Sequence, residues 1–382
     1  MEKQVHYFDN CATTRVDNSV VQTLVKYHTE KYFNPSARSS FSVDIANDIA
    51  VAREKVAKLL GAENYSVYFT SGGTESDNLG IVGSLKSKRG NIVVTMSEHS
   101  AVYNTVLELQ SRGYEVRLAN VLPDGHIDVA DFVSQIDEQT LLACFMHVNN
   151  ETGAINDVKK LVKAVKTVNK NTVCFSDGVQ AVGKIPVNLA DLDVDIYTLS
   201  GHKFHASKGV GAIFVKKNLH LNPLVFGGGQ EKGLRSGTEY VGGIVALAEA
   251  LQLAVANVTQ NTQNFLQFKL VVRFSLEGVA DWRENCIENC SPAIMSLAFA
   301  DIKGEVLLHM LESFDIVVGT GSACSSKNKQ SRIAKAIKLA PNYTEGVLRI
   351  SFCKYNTLEE AQLLGEKLRE CVLQLRKTML SH

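Results

Sequence analysis

The chain has 382 residues, 45% of them hydrophobic and 21% charged, long enough for a large domain with a smaller one attached. Lys+Arg and Asp+Glu both number 40, so the chain carries no electrostatic footprint for nucleic acid or an anionic membrane. The first ten residues, MEKQVHYFDN, form no apolar leader, and no run reaches the roughly 18 apolar residues of a membrane span, which gives a cytoplasmic enzyme as the expectation.

Apolar runs and amphipathic stretches alternate from residue 65 to residue 217. Buried strands are predicted at SVYFT (66–70), NIVVT (91–95), EVRLANV (115–121), LLACFMHV (141–148), TVCFSD (172–177), DIYTLS (195–200) and VGAIFV (210–215). Helices are predicted between several of them. In DVKKLVKAVKTVNK, Val158, Leu161, Val162 and Val165 recur every three or four residues, with lysines elsewhere. This alternation predicts a mostly parallel sheet covered on both faces. A long helix from Glu239 to about Leu270 is predicted to link to a smaller α+β unit, built from MSLAFA, GEVLLHMLES, FDIVV, VLRISF and a terminal helix over 357–379.

The eight cysteines (Cys11, Cys144, Cys174, Cys286, Cys290, Cys324, Cys353 and Cys371) include no CxxC pair. Cys286 and Cys290 are the closest, and no paired histidine or second cysteine couple completes a zinc set. Most read as reduced core residues. Cys324 lies in GTGSACSS, among small residues, which reads either as a small core residue or as a nucleophile on a swinging loop.

Polar clusters follow the predicted strands, where ligands of open α/β sheets gather. SGGTESDN places Gly73 and Thr74 at a helix start, which serves either as a plain turn or as an anion cradle. No GK[ST] follows, so it is not a nucleoside-triphosphate loop. His99 of SEHS reads as a cap or as a ring that stacks on a cofactor and moves protons. Asp177 of SDGVQ, with Gln180 three residues on, reads as an N-cap or as the carboxylate that pairs with a pyridinium nitrogen. In SGHKF, Lys203 emerges beside Ser200 and His202, an arrangement suited to Schiff-base chemistry with an aldehyde cofactor.

Together these stretches resemble the cysteine desulfurases of the NifS/IscS type, within the pyridoxal-phosphate enzymes of the aspartate-aminotransferase fold. YFDNCATT, NPS, FTSGGTESDN, EHSAV, VNNETG, DGVQAVGKIPV, SGHKF, KGVGAIFV, GGGQEKGLRSGT, GSACSS and LRIS carry the resemblance, in family order across nearly the whole chain. It implies a large domain over 15–250 with a mostly parallel seven-stranded sheet, and a smaller α+β domain from 1–14 and 251–382 carrying Cys324. It implies pyridoxal 5′-phosphate held by Lys203, with Asp177 at the pyridine nitrogen, Gln180 and Asn150 at the phenolic oxygen, and His99 on the ring. Gly73, Thr74, Ser200 and His202 would take the phosphate, joined by Thr238 from the second subunit of a homodimer. Arg349, with Asn150 nearby, would hold the carboxylate of L-cysteine, and Cys324 would take its sulfur as a persulfide for a sulfur-acceptor protein in iron–sulfur cluster assembly or tRNA thiolation. No metal is expected.

The chain departs from the family pattern at Cys11, Ser39, Ser42, His205 and Ala206, and in FCKYNT after Arg349. The 25 residues from Cys324 to Arg349 resemble the family's long-loop group, and Lys327, Lys329 and Arg332 make that stretch basic, either as a solvated helix start or as a dock for an acidic partner. A selenocysteine lyase, another class V enzyme, or a weakly active sulfur carrier or scaffold remain open at this point.

Overall fold

A computed structural model describes residues 5–87, 89–321 and 331–380; Cys324, Lys327 and Lys329 lie outside the described residues. In chain order its strands are β1 (His6–Tyr7), β2 (Tyr65–Thr70), β3 (Asn91–Thr95), β4 (Glu115–Ala119), β5 (Thr140–Cys144), β6 (Val173–Asp177), β7 (Ile196–Ser200), β8 (Gly211–Lys216), β9 (Trp282–Glu284), β10 (Ile294–Phe299), β11 (Ile316–Val317) and β12 (Val347–Ser351). Seven of them form one sheet in the order β2-β8-β7-β6-β5-β3-β4. Strands β4, β3, β5, β6 and β7 run parallel, and β8 is antiparallel to both neighbours.

Alternate side chains of the central strands enter two different cores, as the pleat requires. Cys174, Tyr197 and Phe214 pack into one face with the helices Ser40–Leu59, Val158–Val168 and Val241–Ala256. Phe175, Ile196 and Ile213 pack into the other with the helices Gly73–Ser84 and Ser100–Ser111. The helix Val158–Val168 forms as its spacing predicts. Asp157 caps it by accepting from Lys160 N at 2.9 Å, and Val158, Leu161, Val162 and Val165 are all buried. Each contributes about 1.5–3 kcal/mol of apolar burial.

A third core gathers Phe8, Phe265, Met295, Leu348 and Leu368 around the antiparallel sheet β12-β10-β9 and the parallel pair β1–β11. The helices Val258–Ser275, Gly304–Glu312 and Leu358–Leu380 supply the rest of that layer.

Two expectations change. The long helix over 239–270 is two helices, Val241–Ala256 and Val258–Ser275, bent by 64° at Asn257. The first packs Ile244, Leu247 and Leu251 into the large-sheet core, and the second packs Phe265, Phe268 and Val272 into the small one. One straight helix cannot serve both, and the Asn257 side chain caps the first by donating to Leu253 O at 2.7 Å. The strand expected over 141–148 ends at Cys144. Neighbouring β3 stops at Thr95, and the Met146 N–H donates instead to the Glu98 carboxylate at 2.8 Å. Among the described residues no single helix is long and apolar enough to cross a membrane.

Candidate active site

The carboxyl ends of β2, β3, β6 and β7 deliver Gly73, His99, Asp177 and Lys203 to one cavity of about 260 Å³. Lys203 closes a short turn, Gly201–Lys203, directly after β7. Its Nζ donates to the Cys11 carbonyl and, at 2.8 Å, to that of Ala12. Thr14 holds this loop in place, its N and Oγ1 each donating to His202 O at 3.0 Å. Burial, then the nearby Lys184 and Arg349 cations, outweigh Cys11 and Asp9 and bring the Lys203 amine down to about 8. The buried Lys184 donates to Gln180 Oε1, and Gln180 Nε2 donates to Cys11 O at 3.0 Å.

Asp177 ends β6, buried, and accepts the Val179 N–H at 2.8 Å. His99 caps the helix Ser100–Ser111, its Nδ1 accepting from Ala101 N at 3.2 Å. Asp77, His99 and Asp177 converge, their polar atoms within 4.8 Å of one another. Burial pushes both carboxyls up and the imidazole down. Asp77 goes well above the carboxylate range, because the Asp177 charge adds to the burial. Asp77 accepts from Thr198 Oγ1 at 2.7 Å.

Gly73 opens the helix Gly73–Ser84 with no room for a side chain: a Cβ there would lie 2.8 Å from Val179 Cγ2 and 3.4 Å from Ser200 Cβ. The helix start is thus exposed to the cavity beside Thr74, Ser200 and His202. The His202 ring shares a hydrogen bond with Thr13 Oγ1 at 3.1 Å, and burial first, then Lys203, lowers it to about 4. A neutral ring beside a helix N-terminus leaves the positive field there to backbone N–H groups and to lysine.

Arg349 sits mid-strand in β12, buried, with Nη2 on Asp9 Oδ1 at 2.7 Å and Nη1 on Asn150 O at 2.9 Å. Its Nε has no partner among the described residues. Asn150 and Gln180 complete the cavity wall, so ten of the residues singled out from the sequence face one space. Thr238 does not line it and is exposed. Cys324 lies outside the described residues, although Gly321 and Arg332, on either side of it in the chain, both line the cavity.

Two acids in the cavity, Glu98 and Glu151, carry no assignment from the sequence, and Arg332 of the basic stretch joins them. Glu98 is fully buried, with Oε2 unpartnered among the described residues, and burial pushes it to about 7. Glu151 is also pushed to about 7 by burial, and accepts from Ser331 Oγ at 3.0 Å. Both stand beside motif residues, Glu98 next to His99 and Glu151 next to Asn150, where an acid reads as solvated. Arg332 is half-buried, with its guanidinium engaged within the chain. Its guanidinium donates to the Met96 and Glu98 carbonyls and lies 4.1 Å over the Tyr103 ring.

The departures from the family pattern have local explanations. Ser39 caps the helix Ser40–Leu59 by accepting from Ser42 N at 3.2 Å, and its hydroxyl meets that of Ser42 at 2.9 Å. The Cys11 thiol packs with Val148, Ala181 and Ile294, while its carbonyl serves Lys203. His205, at φ 71°, is held by Arg15 O at 2.8 Å and Thr14 Oγ1 at 2.9 Å. The Ala206 methyl fits because Gly201 opposite has none.

The profile of the aminotransferase class-V family matches residues 6–364. The chain belongs to this family. A cysteine desulfurase of Nostoc sp. is 36% identical over 377 residues, covering 97% of this chain and 94% of that one. The cysteine desulfurase IscS of Clostridium botulinum is 34% identical over 385 residues, covering 99% and 96%. A solved NifS-like protein superposes with a TM-score of 0.91 at 34% identity, covering 97% of this chain and 100% of its own. Enzymes of this family use pyridoxal 5′-phosphate. The cavity fits that group: an amine held near 8, a buried carboxylate beside an imidazole, and a side-chain-free helix start face one another across it.

Proposed function

We propose that this protein is a pyridoxal-phosphate-dependent cysteine desulfurase, converting L-cysteine to L-alanine and leaving the sulfur as a persulfide on Cys324. The observation that carries the reading is the meeting of Lys203, Asp177, His99 and Arg349 at one cavity. Lys203 would hold the cofactor, Asp177 the pyridine nitrogen, His99 the ring face, and Gln180 and Asn150 the phenolic oxygen. The phosphate would go to Gly73, Thr74, Ser200 and His202. When bound, pyridoxal phosphate supplies an aldehyde for the substrate amine and a ring that draws electrons from the α-carbon.

The chain's own groups do the rest. Arg349 turns its fork toward the substrate carboxylate, and its unpartnered Nε is a donor in reserve. Lys203, with its amine near 8, takes the α-proton when neutral and returns a proton to carbon. The Cys324 thiolate attacks the substrate sulfur; the S–S bond forms as the C–S bond breaks, and the carbon left behind is protonated to give alanine.

We further propose a homodimer in which Thr238 reaches the partner's phosphate site, since it is exposed and away from its own chain's cavity. The stacked, mostly exposed rings of Tyr32, Phe33 and Phe41 support a covered face. A large domain over 15–250 and a small one from 1–14 and 251–382 agree with the separate cores and the bend at Asn257. The sulfur would pass, in the cytoplasm, to an acceptor protein for iron–sulfur cluster assembly or tRNA thiolation.

The test is incubation of the purified holoenzyme with L-cysteine and a thiol reductant, measuring alanine and sulfide. Wild type is expected to release both, and Cys324→Ser to lose sulfide release. Absence of both products from wild type, or full sulfide release by the serine variant, overturns the reading.

A further inference from the structure

The turn between β9 and β10 carries Cys286 and Cys290, and the helix Val258–Ser275 presents Lys269 to it. Lys269 is 1% exposed, and its Nζ lies 2.8 Å from Ser291 O and 3.4 Å from Cys290 Sγ. Among the described residues no carboxylate pairs with Lys269; the nearby Glu284 is held by Arg273 at 2.7 Å. A buried ammonium without a carboxylate needs another counter-charge, and the Cys290 sulfur is the adjacent group able to supply one.

The Cys286 thiol neighbours the same sulfur, and its own hydrogen bond goes to Glu288 O at 3.6 Å. One contact opposes the thiolate: Cys290 Sγ is 3.3 Å from Ile287 O, which only a protonated sulfur can use. The thiolate contacts prevail. The neighbouring Cys286 thiol first, with the Lys269 charge behind it, brings Cys290 to about 6 against burial and Glu284, and Cys286 is driven upward. Cys286 is 2% exposed and Cys290 half-buried, so an incoming reagent meets Cys290.

The backbone around the pair is pinned. Ser291 N donates to Gly153 O at 2.7 Å, and Ile155 N to Asn289 O at 2.9 Å, so the end of the turn that carries Cys290 is fixed to the loop at 153–155. A metal does not fit, because among the described residues no third ligand joins them; the one tight group of metal-binding side chains is Asp77, His99 and Asp177.

We propose that Cys286 and Cys290 form a redox-active dithiol, with Cys290 as the attacking thiolate and Cys286 as the resolving thiol, closing to a disulfide on reaction with a hydroperoxide. Cys290 attacks the terminal peroxide oxygen. The O–O bond breaks, hydroxide or alkoxide leaves and takes a proton, and Cys290 becomes a sulfenic acid. The Cys286 sulfur then displaces the hydroxyl, losing its proton as water departs. The two thiols give up two electrons in all, and with hydrogen peroxide the products are the disulfide and two waters. An external thiol reductant reverses the step.

The test uses the full-length holoenzyme carrying Cys324→Ser, which removes the other expected nucleophile. It is titrated with hydrogen peroxide, free thiols are blocked with iodoacetamide, and peptides are mapped by mass. The 286–290 segment is expected to lose two hydrogens and escape alkylation before Cys144, Cys174 or Cys371 react, and to recover with dithiothreitol. With Cys286→Ser added, Cys290 should stop at the sulfenic acid and be trapped by dimedone. Without peroxide, alkylation at pH 6.5 should be fastest at Cys290, and Lys269→Gln should slow it about 10-fold. The proposal is overturned if Cys286 and Cys290 both remain alkylatable after excess peroxide, or if the disulfide that forms joins other cysteines. Alkylation of Cys290 no faster than of Cys353 also overturns it, and this reading needs no variant at Lys269 to fold.

Discussion

Two buried lysines sit in two regions of the molecule and meet opposite company. At the carboxyl end of the interior strand β7, Lys203 donates to two carbonyls and lies near Lys184 and Arg349. In the turn between β9 and β10, Lys269 meets one carbonyl and a sulfur. The first setting penalises the amine's charge, so near pH 8 half of it is neutral and able to act as nucleophile or base. The second offers a proton-bearing neighbour that ionises instead, and the lysine serves as counter-ion. Burial alone does not assign a lysine its chemistry; the groups within reach of Nζ do.

The strongest way to break this contrast is Lys203→Ala. Turnover of L-cysteine is expected to fall by about 10³-fold or more, with loss of the visible cofactor band, whereas Lys269→Gln should leave turnover nearly intact. Comparable losses from both would end the distinction. Next in size is Lys184→Met, which removes a cation that lowers Lys203. Relieved of it, Lys203 holds its proton to higher pH, so the neutral amine is confined to more alkaline solution. Cofactor uptake by the apoprotein at pH 7 should slow by up to about 10-fold, and its pH midpoint should rise. An unchanged or lower midpoint would contradict the assigned cause. The smallest effect belongs to Cys11→Ala. That thiol packs among Val148, Ala181 and Ile294, and only its carbonyl reaches Lys203. Steady-state kcat/KM should stay within about twofold, at a stability cost on the order of 1 kcal/mol measured by denaturant melting. A large kinetic loss would make Cys11 a participant.

Much of the fold was legible because its signals are local. Seven apolar runs gave the seven strands of the large sheet, and the spacing of Val158, Leu161, Val162 and Val165 gave their helix and its buried face. The break at Asn257 was not legible, since both flanks favour helix and only the existence of two cores forbids a straight one. In the site, strand-end polar residues led to His99, Asp177 and Lys203. The carbonyls of Cys11 and Ala12 were invisible because main-chain acceptors have no residue type. Glu98 and Glu151 were passed over because charged letters read as solvated until tertiary packing buries them, and Arg332 was read only as part of a basic stretch. The pairing of Lys269 with Cys290 spans two elements, and no spacing rule announces it.

Strand β1 has a consequence for the order of assembly. It pairs only with β11, and Phe8 after it packs edge-on against Phe352. At about 5–20 residues per second, the ribosome needs tens of seconds after Phe8 to finish those partners. Cys11 and Ala12, the residues that hold Lys203, follow β1 closely, so their loop gains its anchors on that side only as the last fifth of the chain emerges. The large sheet is translated long before its lysine is fully seated, and a nascent chain stalled short of β12 would carry the strands of the cofactor site without its latch.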